Sequence, residues 1–334
     1  MKARPFLVLA LGAMAFAVVL AASLLWGAVA LPWTAVAAAL RGLNHGSAAY
    51  AIVMRLRLPR ALSAALVGAG LALSGAVLQA LLRNPLAEPF TLGISGGAGF
   101  LVTALAAFAP AWFALPWAAS GAGFAGALLA GVLVFLLAER QAFSNTALIL
   151  CGVVLSFFFG SLALVNFVFG RPEALQGALL WLTGDFSLAT GTTTLAALVG
   201  VAVPAVYIFA SADSLDVLAI GDERALGLGL PVGRLRRLLF LAASLMTGVC
   251  VACAGIIGFV GFLVPHLTRL LAGARHRWLL PISALLGAVF LMLADLLARS
   301  LLNPIELPVG ALTGIVGAGV FLVYYWRGGV REMP

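Results

Sequence analysis

Apolar runs of about 20 residues recur along the whole chain, separated by short polar breaks. A helix of about 20 apolar residues crosses the hydrocarbon core of a bilayer. The pattern predicts ten spans, at 6–31, 61–82, 91–109, 117–138, 147–169, 191–210, 235–253, 256–272, 278–298 and 307–326. Glycines break the short run 256–272, which predicts a bent or incomplete helix there. The longest polar stretch runs only from 211 to 237, so residues 1–334 read as one transmembrane domain with no soluble domain attached. The stretch 57–98 organises the rest. It opens on Arg57-Leu58-Pro59-Arg60, read as a proline-stiffened corner, and continues through the second span. It ends at Arg83-Asn84-Pro85-Leu86-Ala87-Glu88-Pro89 and a glycine-rich restart. Gly68, Gly70, Ser74 and Gly75 fall at helix-contact spacing inside it, as do Gly310, Gly314, Gly317 and Gly319 near the end of the chain. Small faces of this kind let membrane helices approach closely.

Composition agrees with this layout. The chain is 64% hydrophobic and 9% charged, where average chains carry about 25% charge. A net charge of +8 suits nucleic acid only if the cations cluster, and here they are scattered among apolar runs. Met1-Lys2-Ala3-Arg4 and the apolar run behind it resemble a signal peptide, but the run is too long and reads as a retained first span. With the N-terminus inside, thirteen of the 19 basic residues fall inside and six outside. The inside set is Lys2, Arg4, Arg83, Arg140, Arg224, Arg234, Arg236, Arg237, Arg269, Arg275, Arg277, Arg327 and Arg331. The outside set is Arg41, Arg55, Arg57, Arg60, Arg171 and Arg299. The excess obeys the positive-inside rule and places both termini in the cytoplasm.

Candidate chemistry is sparse. Cys151, Cys250 and Cys253 lie in apolar runs, and Cys250-Val251-Ala252-Cys253 lacks a second pair or histidines, so they read as small buried hydrophobes. No metal or catalytic constellation stands out, and no phosphate-binding loop of the Gly-x-x-x-x-Gly-Lys-Ser/Thr type occurs. The span centres hold almost no ionisable groups, which counts against an ion-coupled secondary transporter. Pro85 and Pro89 stop the second helix and fix a turn, either a plain loop or a constriction. Residues 212–231 predict either a plain surface loop or two short helices joined at Gly221, with Ser214 as N-cap and Pro231 as terminator, lying across the cytoplasmic face and covered by a partner. Asp295 and Arg299 share a helix face and can pair, either as a local ion pair or to aim Arg299 outward. Leu175 to Leu182 predicts a short surface helix. Arg171 and Asp185 flank it, either facing a vestibule or, for Asp185, as a cap.

Several of these strings together resemble the iron-chelate/vitamin B12 ABC-importer permease family, of FecCD type. They are Arg57-Leu58-Pro59-Arg60, Ser74-Gly75 with Gln79, Arg83 to Pro89, Leu92-Gly93, Gly96-Gly97-Ala98, Leu226-Gly227, Gly255 through Arg269, Ala294-Asp295 with Arg299, and Glu306 to Gly310. The resemblance runs nearly the whole chain in order. It implies an all-α polytopic membrane protein of about ten transmembrane helices in the type II ABC importer architecture. It implies a homodimer, two cytoplasmic ATP-binding subunits and a periplasmic substrate-binding protein, with no cofactor or nucleic acid. By resemblance Arg57, Arg60 and Arg299 are docking cations for the binding protein. Asn84, Leu86, Asn145 and Thr146 match a cytoplasmic gate. Ser214, Leu218, Gly221, Asp222, Glu223, Ala225, Leu226 and Gly227 match the ATPase-coupling segment. The expected place is the bacterial inner membrane. The expected cargo is a ferric siderophore or haem, with cobalamin as the alternative.

Overall fold

The computed structural model describes residues 3–27, 29–115, 117–141, 143–302 and 305–326. Lys2, Arg327 and Arg331 of the charge tally lie outside them. Ten helices answer to the ten apolar runs: α1 Ala3–Leu25, α2 Leu58–Leu82, α3 Ile94–Phe108, α4 Ala118–Glu139, α5 Asn145–Phe169, α6 Gly191–Ala210, α7 Val232–Ala254, α8 Val260–Ala272, α9 His276–Ala298 and α10 Val309–Trp326. The described parts of α1, α2, α4, α5, α6, α7 and α9 are each long and apolar enough to cross a membrane. The expected incomplete helix is α8, whose 13 residues reach only about 20 Å.

Helix α2 is the hub. It packs against α6, α7, α8 and α9, while α3, α4 and α5 form a second group and α1 lies along α9. Small residues make the central contacts possible. A Cβ on Gly68 would overlap the Gly287 carbonyl of α9, and one on Gly75 would overlap the Gly261 carbonyl of α8. Gln79, one turn further on, donates through Nε2 to that same Gly261 carbonyl at 3.1 Å. Close backbone approach thus replaces the hydrophobic drive that lipid does not supply. By contrast Gly314 and Gly319 of α10 have open space where a Cβ would go.

The expected corner at Arg57–Arg60 is not a corner. Helix runs unbroken from Ala48 to Leu82, 35 residues. Pro59 has no N–H and its ring crowds the carbonyl four residues back. The chain absorbs this with a wider π-helical turn over Ile52–Arg57, closed by the Leu58 N–H on the Val53 carbonyl. Such insertions re-aim side chains: Arg55 and Leu56 are exposed while Arg57 is buried.

Short helices complete the chain. Trp33–Leu40 was not predicted, and α1 stops at Leu25, short of the 31 that the apolar run suggests. The helix expected at 175–182 spans Pro172–Leu182. Ala212–Ile220 and Asp222–Gly227 form the expected pair, hinged at Gly221 with φ +124°. Two details differ. Ser214 lies inside the first of these helices, whose N-cap is Ser211. Pro231 opens α7, while the second short helix has already ended at Gly227.

Candidate functional site

The polar residues gather at the two ends of the bundle. At one end, α2 and α9 bring Arg60 and Asp295 together. Arg60 Nε sits 2.9 Å from Asp295 Oδ1, and its Nη2 sits 2.9 Å from Glu306 Oε2. Asp295 also faces Arg299 Nε at 3.5 Å, and its side chain is 1% exposed. Arg299 Nη2 donates to the Ser23 carbonyl at 2.7 Å. Arg57 Nη1 donates to the Leu24 and Leu25 carbonyls at 2.7 and 2.9 Å, and Nη2 donates to Val29. The last carbonyls of a helix have no partner within it, and here two buried guanidiniums supply the donors that end α1. This corrects the outward reading of the arginines. Arg57 and Arg299 are buried and committed to α1, and Arg60 is held in ion pairs. The exposed cations of the expected outer set are Arg41, Arg55 and Arg171.

At the other end, α2 stops at Arg83, which takes a left-handed conformation with φ +47°. Asn84 Oδ1 then accepts from the Leu86 N–H at 2.9 Å, a side-chain turn that leaves Leu86 exposed. Asn145, at the start of α5, donates through Nδ2 to the Leu82 carbonyl at 3.0 Å. Asn145 therefore caps α2 just before the Asn84–Leu86 turn, and the neighbouring Thr146 is exposed. Four residues from two distant segments are thus brought to one place.

The short helices attach to this end. Leu215, Leu218 and Ala225 are buried against the bundle. Asp222 lies 2.8 Å from Arg236 of α7 and 3.5 Å from Arg83. Asp216 accepts from the His276 N–H at 2.9 Å and lies 2.6 Å from its Nδ1, at the start of α9. The opposite face is open and apolar, with Ile220, Leu226 and Leu228 at 54%, 60% and 69% exposure, and Glu223 and Gly227 exposed beside them. One carboxylate of this segment thus holds the turn after α2, and another holds α9.

Glu88 is a residue that the sequence reading passed over. It lies in the connection before α3 and accepts a hydrogen bond from the Phe259 N–H, where α8 begins. Burial pushes its carboxyl from an ordinary 4.5 up to about 7, against the pull of the Phe259 N–H. The folded protein therefore holds this proton more tightly than the unfolded chain does. The stability that follows is full below a pH of about 4.5 and is lost as pH rises through about 7. Glu88→Gln keeps an oxygen for Phe259, so it is expected to fold and to flatten the decline in Tm over that window. An unchanged slope rejects this role.

Arg171 and Asp185 are not brought together. They sit beyond opposite ends of the 11-residue helix Pro172–Leu182, a length of about 16 Å. Arg171 is exposed, while Asp185 accepts from the Ser187 N–H and Oγ at 2.9 and 2.8 Å and so acts as a turn cap. Trp181 packs inward against Val102, Ala106 and Ala178. Cys250 is buried, with its thiol 3.7 Å from the Val67 carbonyl, and Cys253 is similarly placed against Thr193. Among the described residues no three metal-ligating side chains come together.

Comparison with known proteins matches residues 15–327 to the model of the FecCD transport family. The chain is 37% identical over 330 residues to the Fe(3+)-citrate import system permease protein YfmE of Bacillus subtilis, covering 96% of this chain and 94% of that one. It is 41% identical over 271 residues to the vitamin B12 import system permease protein BtuC of Vibrio cholerae, covering 81% of each. A solved structure of a metal-chelate type ABC transporter in an inward-facing conformation superposes with a TM-score of 0.84 at 30% identity, covering 96% of this chain and 99% of that one.

Proposed function

This chain belongs to the FecCD transport family, and from that premise we propose that this multi-pass membrane permease moves a metal chelate, a ferric siderophore or haem, into the cytoplasm. Two ATP-binding subunits power it and a periplasmic binding protein delivers the cargo. The observation that carries this reading is the segment 212–227. It pairs an open apolar face with carboxylates bonded to Arg83 after α2, Arg236 of α7 and His276 of α9. Exposed Ile220, Leu226 and Leu228 offer a surface for an ATPase cleft. Asp222 ties that surface to Arg83, next to Asn84 and Leu86, so a push on the short helices pulls on the turn that closes the path. Asp216 passes the same push to α9. Rigid elements shifting about such joints are a known mode of switching.

A second copy of the chain completes the path. Helix α5 is mostly unburied, with Val154, Phe157, Phe158 and Val165 exposed, and α10 shows open space at Gly314 and Gly319. These faces suit close contact between two copies. The excess of cations on the Asn84 end favours a cytoplasmic position for that end, in a bacterial inner membrane with both termini inside. At the opposite end Arg41 and Arg55 remain free to meet acidic groups of a binding protein, with Arg60 partly available between its two carboxylates. Charge complementarity there would chiefly orient docking.

Vesicles holding the chain, its ATP-binding subunits and its binding protein are expected to take up a labelled ferric chelate only with ATP. Labelled cobalamin forms a second arm, because the BtuC likeness favours that cargo as the alternative. Uptake by the chain alone would overturn the importer reading in favour of an ion-coupled carrier. Leu226→Glu places a charge on the exposed apolar face and is expected to cut copurification of the ATP-binding subunits at least tenfold while leaving the chain folded, since a buried ionised group without a partner costs several kcal/mol. Full copurification excludes that face as the coupling surface.

A further inference from the structure

At the Asn84 end a cavity of about 1120 Å³ opens between α2, α8, α9 and the helix Ala212–Ile220. Four arginines from three separate segments line it: Arg83, Arg269, Arg275 and Arg277. Two carboxylates, Asp213 and Asp216, face the same space. Arg83 is already paired with Asp222 and Arg269 donates to Gln79 Oε1, so Arg269, Arg275 and Arg277 stand against two carboxylates, an excess of one positive charge. Asp216 is already bonded twice to His276. Among the described residues Arg269, Arg275 and Arg277 form no ion pair with any carboxylate, and Arg275 and Arg277 are exposed. A general excess of cations on one side of a membrane spreads charge over loops. Here the charge converges on one hollow.

The position of the hollow identifies what fills it. Trp278 forms part of its wall. Phe6 of α1 lies edge-on to Trp278, with ring centroids 4.7 Å apart. Helix α1 is only 17% buried over its apolar window, and Phe6 and Leu7 are exposed. One wall of the cavity therefore borders the exposed apolar face of α1, and tryptophan is enriched where such faces meet the membrane–water boundary. Basic pockets between membrane helices at this level hold anionic lipid head groups.

We propose that this cavity binds the phosphate head group of an anionic phospholipid from the leaflet at the Asn84 end, with Arg269, Arg275 and Arg277 as its cations. The lipid would then sit against the same helix, Ala212–Ile220, that holds α9 through Asp216. This site is independent of the transported cargo, and its test needs neither uptake nor ATP.

The full chain, purified in mild detergent, is incubated with phosphatidylglycerol or phosphatidylcholine, and retained lipid is counted by native mass spectrometry. Preferential retention of phosphatidylglycerol is expected. The double variant Arg275→Gln/Arg277→Gln alters exposed side chains only. It is expected to lose about fivefold in retention for each arginine removed, with phosphatidylcholine unchanged. A Tm equal to that of the parent chain shows that the variant is folded, and Arg275→Lys/Arg277→Lys should restore retention. Undiminished phosphatidylglycerol binding by the folded glutamine variant overturns the proposal. Displacement of the lipid by an equal concentration of glycerol phosphate also overturns it, and assigns the cavity to a soluble phosphate ester. If the variant instead loses its ATP-binding subunits while keeping the lipid, the cavity belongs to an acidic segment of that partner and the lipid assignment fails.

Discussion

Asp295→Asn is expected to lower the stability of this protein by about 3–5 kcal/mol, the usual cost of removing one partner from a buried charge pair. Asparagine keeps the volume, so no cavity contributes. What is lost is the anion between Arg60 and Arg299, at 2.9 and 3.5 Å. Both guanidiniums then remain where water cannot reach them freely. Arg299 also holds the end of α1 through the Ser23 carbonyl, so the loss should spread to the docking of α1 on α9. The companion measurement is Glu306→Gln. Glu306 is paired to the same Arg60, but its side chain is 45% exposed. Exposed ion pairs contribute about 0–1 kcal/mol. Thermal unfolding in detergent should therefore separate the two variants by several degrees. Equal Tm values would show that the Asp295 cluster is solvated in the folded protein.

Gly75→Val is expected to destabilise the fold strongly. The added side chain points at the Gly261 backbone, which cannot swing aside as a flexible side chain would. Helices α2 and α8 must separate, and Gln79 then loses its bonds to the Gly261 and Phe262 carbonyls. Overpacking a tight site costs about 1–3 kcal/mol, and each lost hydrogen bond adds about 0.5–1.5 kcal/mol. Together these come to about 2–6 kcal/mol, a large part of a typical folding margin of about 5–15 kcal/mol. Gly121→Ala is the control, since no atom lies within 4 Å of its added Cβ. Size-exclusion profiles of the two variants give the answer: a monodisperse Gly75→Val peak with the parental Tm would refute the contact.

What could be read from the sequence follows from the range of each interaction. The ten spans were visible because each depends only on its own run of apolar residues. The joint at Gly221 was visible for the same reason, since a local glycine between two amphipathic stretches suffices. The fate of Arg57 was not. Its helix is buried on nearly every face, so no polar stripe marks which way a side chain points, and the π turn before Pro59 shifts the facing again. The stopping point of α1 was equally hidden. It is set by arginines 33 and 276 residues away in the chain. Glu88 was quoted within its motif, yet its partner Phe259 is 171 residues distant. At the proposed gate, Asn84 and Leu86 came from a long motif, but only the fold shows Asn145 capping α2. The N-cap lies at Ser211 rather than Ser214, and no side-chain capping hydrogen bond marks it.

Helix α9 is fastened near both ends, at His276 by Asp216 and at Asp295 by Arg60. The 19 residue steps from one position to the other rise about 28 Å. One residue inserted or removed between them turns one fastening about 100° away from the other. The fold thus contains a fixed gauge. Chain-length variation has the connections to occupy, at the turn after Trp33–Leu40 or beyond Pro172–Leu182, but none between 276 and 295.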